Sequence, residues 1–129
     1  MKTDNITLLL DQPFETALAN ARTAITDNGF LLLHEINPQA ILATQQIEIG
    51  PVRQLLFFHP VYMKQLLDRD PSAVIEVPLK LVLRATDKGT SLSYFHPLTH
   101  FQGYEGLDAL GKELHVKVEL IVAQLRKTV

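Results

Sequence analysis

Apolar positions along the chain change their period several times, and each change marks an element. Ile6 to Leu10 is a short apolar run closed by Asp11-Gln12-Pro13, which reads as a strand. Phe14, Leu18, Ala21 and Ile25 then recur at helical spacing, and Asn28-Gly29 ends that helix, since glycine suits the left-handed position after a last turn. Phe30 to Ile36 predicts a second strand. Asn37-Pro38 joins a capping side chain to a first-turn proline and predicts a short helix over Pro38 to Thr44. After the break at Gly50-Pro51, Arg53 to Phe58 is apolar on both faces near its end, as a covered central strand requires. Pro60 to Arg69 predicts a helix with His59 at its cap, with Met63, Leu66 and Leu67 facing inward and a stop at Asp70-Pro71.

Alternation is clearest from Leu79 to Thr86. Leu79, Leu81, Leu83 and Ala85 share one face, while Lys80, Val82, Arg84 and Thr86 share the other. Asp87-Lys88-Gly89 predicts a three-residue hairpin turn, with Thr90 to Phe95 returning. Pro97 to Glu105 reads as a polar and aromatic loop. The last helix runs from about Leu107 to Lys127, with a core stripe of Leu107, Leu110, Leu114, Val118, Ile121 and Leu125. Val116, Leu120 and Val122 widen that stripe, which points to a second contact surface, such as a partner subunit. The order β-α-β-(α)-β-α-β-β-α predicts an α+β fold with a mainly antiparallel sheet and helices packed on one face. No repeat, low-complexity run or linker divides the 129 residues, so one domain over 1–129 is expected.

Composition narrows the function classes. The chain is 47% hydrophobic and 20% charged, ordinary for a globular domain. A net charge of -2 with scattered basic residues gives no reason to expect nucleic acid. The absence of cysteine excludes disulfides, thiolate nucleophiles and zinc-thiolate sites. The apolar run near the N-terminus is too short for a signal peptide or a membrane span, so a cytoplasmic location away from membranes is expected. No Gly-rich phosphate loop, Gly-x-Ser-x-Gly elbow or His-Glu-x-x-His helix is present.

The candidate chemistry gathers at strand ends. His59 and His96 each stand before a proline where a strand stops, and adjacent strands would let both imidazoles face one pocket. The plainer reading makes His59 a helix cap and His96 a strand terminator. His96 and His100 are four residues apart, a metal-pair spacing on a helix, but Pro97 argues against a helix there, so no metal is expected. Arg53 suits an anion clamp, or else pairs with Glu48 or Glu76. His34 and Glu35 must point to opposite faces of their strand, and His115 in the last helix is expected at the surface or an interface. Glu76 and Lys80 are placed at a sheet edge. Tyr62, Tyr94, Phe95, Phe101 and Tyr104 supply either an aromatic pocket or core packing.

The Asn28-Gly29-Phe30 junction, the stretch from Arg53 to Pro60, Leu66-Leu67-Asp68-Arg69-Asp70-Pro71, Val77-Pro78-Leu79-Lys80 and the strand ending in His96-Pro97 together resemble the domain of unknown function 302 family. The resemblance covers the chain from about Phe14 into the last helix. It implies a TATA-binding-protein-like α+β domain with a curved sheet, and a homodimer, but no reaction. It also implies cysteines at two places, in a Cys-Asn-Pro where this chain has Phe58-His59-Pro60 and at Leu79, so a thiol role is not carried over.

Three functions compete. The first is a non-catalytic, homodimeric small-molecule-binding domain using His59, His96, Arg53, Pro60, Tyr94 and His100, with no cofactor named by any motif. The second is a structural or protein-interaction dimer. The third is an enzyme with His59 or His96 as acid-base and Arg53 as anion anchor.

Overall fold

Residues 5–127 are described by this computed structural model. The strands are β1 (Asn5–Leu10), β2 (Leu31–Ile36), β3 (Val52–Phe58), β4 (Leu79–Thr86) and β5 (Gly89–Phe95). The helices are α1 (Phe14–Asp27), α2 (Pro38–Ala43), α3 (Pro60–Arg69), α4 (Pro97–His100) and α5 (Asp108–Lys127). The strands make one antiparallel sheet in the order β1-β5-β4-β3-β2. The chain therefore starts at one edge and must reach the other for its second strand. Helix α1 makes that crossing, touching β2, β3, β4 and β5 on the way.

The alternation in β4 decides which face is buried. Leu79, Leu81 and Leu83 pair in register with Phe57, Leu55 and Arg53 of β3, and Leu81 and Leu83 with Tyr94 and Leu92 of β5. This face packs on α1 through Phe14, Ala17, Leu18, Ala21, Ala24 and Ile25, all buried. The expected α5 stripe is buried in full, and Val122 joins it. Val116 and Leu120 do not, being 58% and 50% exposed. The fold is α+β, with its long helices on one face of the sheet. No helix among the described residues is long and apolar enough to cross a membrane.

Two local expectations change, and two features are added. Thr86 pairs directly with Gly89, so the hairpin turn holds two residues rather than three. The Thr86 hydroxyl stabilises it by accepting from the Lys88 N–H and donating to the Gly89 carbonyl, both at 3.2 Å. In α3 the buried residues are Tyr62 and Leu66, one turn apart, which leaves Leu67 42% exposed. Pro71–Glu76 forms a 3₁₀ turn, begun by Asp70 accepting from the Ser72 N–H. In β2 the register slips between Leu32 and His34, a bulge that leaves Leu33 without a cross-strand partner and 52% exposed.

Candidate functional site

The first turn after β5 organises the end of the sheet. The His100 N–H donates to the His96 carbonyl at 2.9 Å, closing the single turn of α4. Pro97 therefore sits inside a helical turn instead of preventing one. It occupies the first position, where a missing N–H costs nothing. The four-residue spacing still makes no metal pair, because the two imidazoles part company. His96 stacks on His115 of α5 at 4.3 Å between centroids, while His100 stacks on Phe95 at 5.1 Å. Among the described residues no cluster of three potential ligands could hold a metal.

His100 is bound from its edge as well. Its Nε2 lies 2.8 Å from the Glu76 carbonyl oxygen and 3.2 Å from Glu76 Oε1, so that nitrogen carries the hydrogen. The other carboxylate oxygen, Oε2, accepts from the Tyr104 hydroxyl. That hydrogen bond, with the nearby negative charge, holds the Tyr104 phenol protonated above its ordinary range. Lys80 projects from β4 on the same side and places its Nζ 6.0 Å from the centre of the Phe95 ring. Lys80 lies on the central strand of the sheet, not at an edge. No carboxylate among the described residues lies within ion-pair distance of it.

These groups border a hollow of about 340 Å³, walled by Leu56, Ile75, Val77, Pro78 and Phe95 and edged by Glu76, Lys80 and His100. A smaller hollow of about 140 Å³ adjoins it across Lys80 and Phe95, reaching Asn5, Val82 and Ser93. Both open on the face of the sheet away from α1 and α5.

The remaining expected site residues lie elsewhere. His59 caps α3, its Nδ1 accepting from the Val61 N–H at 3.1 Å, and its ring packs against Tyr62 and Phe30. Pro60, next to it, is exposed. No ring contact among the described residues joins His59 to His96. Arg53 is 15% exposed on the helix-facing side. It reaches Gln39 and its neighbour's carbonyl, sits 5.7 Å over the Phe14 ring, and lies 3.9 Å from Glu35. Its acid is thus Glu35, neither Glu48 nor Glu76. Glu35 accepts from Nε and Nη2 of Arg22 at 2.8 and 2.7 Å, which lowers its pKa, chiefly through that hydrogen bonding. Tyr94 borders the smaller hollow, but its side chain turns to the helices and donates to Glu119 at 3.3 Å. Burial, reinforced by the Glu119 charge, pushes its phenol up to about 12.

His115 is half-buried rather than exposed, and the Nδ1 atoms of His96 and His115 are both buried without a hydrogen-bond partner. Their stack ties the end of β5 to α5. Of the expected set, His100 edges the larger hollow and Tyr94 the smaller one. Glu76, Lys80 and Phe95 border the larger hollow as well, and one signal pointed there: Lys80 stands with Arg84 and Thr86 on the polar face of β4, opposite the leucines.

Comparison with known proteins gives the same fold. The family model described as domain of unknown function DUF302 matches residues 6–125. The chain belongs to the DUF302 family. A crystal structure of an uncharacterized conserved DUF302 protein from Bacillus stearothermophilus is similar with a TM-score of 0.86 at 13% identity, covering 97% of this chain and 100% of that one. At that identity the likeness speaks for the shared fold of DUF302 domains alone. No curated protein matches the chain. DUF302 membership thus brings no reaction or ligand with it, and function has to be argued from the hollow.

Proposed function

We propose that this chain is a non-catalytic small-molecule-binding domain whose site is the hollow beside Lys80, Phe95 and His100. The observation carrying this reading is the convergence of three polar groups, Glu76, Lys80 and His100, on one apolar recess of about 340 Å³. Ligand sites are typically concave, largely apolar, from roughly 300 Å³ upward, with a few polar groups fixing orientation. Catalysis is less well supported. The Nε2 hydrogen of His100 is directed at Glu76, and the nearby Ser93 hydroxyl is bonded to Thr7 at 3.0 Å rather than to a base.

Native mass spectrometry of freshly purified protein, set against its denatured mass, tests the reading. Extra non-covalent mass that disappears when Leu56→Trp fills the recess supports it. A bare mass, together with no amide shifts around the hollow on titration with a fragment library, refutes it.

A homodimer is the second reading. It is favoured by Val116 and Leu120, exposed one turn apart on α5. Two such side chains fall well short of the roughly 800 Å² per partner of a stable interface, so it ranks below ligand binding. Light scattering across a dilution series decides it: a mass that stays monomeric at all concentrations removes the dimer.

A further inference from the structure

We propose that the ligand of this hollow is a chain-like apolar monoanion, its carboxylate held by Lys80 and its hydrocarbon against Phe95, Leu56 and Ile75. The inference rests on the reading of the hollow as a small-molecule site and adds the chemistry of the occupant.

Charge satisfaction gives the sign. Glu76 is the one carboxylate bordering the hollow, and both its oxygens are engaged, Oε1 by His100 and Oε2 by Tyr104. A cation approaching it has to compete with these two protein donors. Lys80 is in the opposite condition. An ammonium has three donors, and this one meets only a ring face, with no carboxylate among the described residues in reach. A partly buried charge against apolar walls gains most from a partner of opposite sign.

The rest of that sheet face agrees. Glu35 is the one acidic residue in the five strands, and its pairing opposite Leu55 turns it to the helix side. The sheet face away from α1 and α5 thus carries Lys80 and Arg84 and no strand carboxylate, although the chain as a whole has a net charge of -2. Shape gives the rest. The two hollows share Lys80 and Phe95, so an anion at Lys80 can trail an extended apolar chain to either side, over Ile75 and Leu56 or over Val82.

The experiment is an amide-detected NMR titration with octanoate, octanol and octylammonium, three probes sharing one chain. Octanoate is expected to shift the amides of Lys80, Phe95 and Ile75 and to bind more tightly than octanol, with octylammonium weakest. Lys80→Met, which keeps an apolar stem, is expected to weaken octanoate by about tenfold, the scale of one charge-assisted hydrogen bond. Arg84→Gln is expected to change it by less than about twofold, as for a distant exposed charge. Octanol equal to octanoate, or octylammonium tighter than both, overturns the anion while leaving the hollow as a binding site. Equal losses from Lys80→Met and Arg84→Gln overturn the assignment to Lys80. If none of the three probes moves the hollow's resonances, this inference and the binding reading fall together.

Discussion

Gly89→Ala is the substitution whose cost follows most directly from the backbone. Gly89 opens β5 where the end of β1 crosses it, and its φ is +143. A Cβ there would lie 2.3 Å from the Leu10 carbonyl oxygen and 3.4 Å from its carbon. Those atoms are main chain, so no side-chain tip can swing aside. Either β1 lifts from β5 or the hairpin shifts. Lifting β1 strains the Leu10–Thr90 pairing and the bond from the Thr90 hydroxyl to the Gln12 carbonyl at 2.9 Å. Positive φ in a residue with a Cβ costs about 1–2 kcal/mol, and overpacking adds about 1–3. The expected loss is therefore about 2–5 kcal/mol, a large share of a typical domain's stability. Urea denaturation with an unchanged m-value measures it. Two other glycines separate the terms. Gly103 has φ +93 with nothing within 4 Å of an added Cβ, so Gly103→Ala reports strain alone, about 1 kcal/mol. Gly50 has open space and no positive φ, and Gly50→Ala should stay within about 0.5 kcal/mol. If Gly89→Ala costs no more than Gly103→Ala, the close approach contributes nothing and the reasoning is wrong.

Three further outcomes are expected. His59→Ala removes a side-chain cap and should cost about 1 kcal/mol in thermal or urea unfolding while leaving octanoate binding unchanged; a loss of binding would return His59 to the site. Glu35→Gln should cost up to about 1 kcal/mol near neutral pH, the scale of an exposed pair. Because the folded pKa of Glu35 is depressed, that contribution is present above the ordinary carboxylate range and fades as pH falls through the lowered value, so wild-type and variant stabilities should converge in acid. The Tyr94 phenol is raised to about 12, so folding favours its protonated form, and wild-type stability should fall as pH climbs from about 10 toward 12. Tyr94→Phe should flatten that alkaline decline, and an unchanged slope would place the titration on another group.

Much of this fold was readable from periodicity, because the elements bury one face each. The β4 alternation and the α5 stripe announce the core without help from any distant residue. What escaped reading depends on encounters between remote segments. Leu67 and Tyr62 are equally plausible inward residues by spacing, and only the seating of α3 selects Tyr62. The bulge at Leu33 has no glycine or proline to mark it. Pro97 was ambiguous, since proline both forbids and begins helices depending on position. The site was legible only in part for the same reason. His100 stood out as a titratable residue after a strand, but its stacking on Phe95 and its hold on Glu76 require the 3₁₀ turn and α4 to meet. The pairing of His96 with His115 joins residues in different elements, and no local pattern encodes it.

The bulge in β2 also bears on how copies of this chain can associate. The sheet has two outer strands, β1 and β2, each offering a row of unpaired amide and carbonyl groups. In β2 the extra residue at Leu33 breaks the two-residue repeat, so an incoming extended segment meets a row whose spacing changes midway. The register of β1 against β5 runs without interruption from Asn5 to Leu10. An edge with a bulge is a poorer template for an added strand than a regular one, so of the two outer strands β1 has the geometry better suited to pairing with a further extended segment.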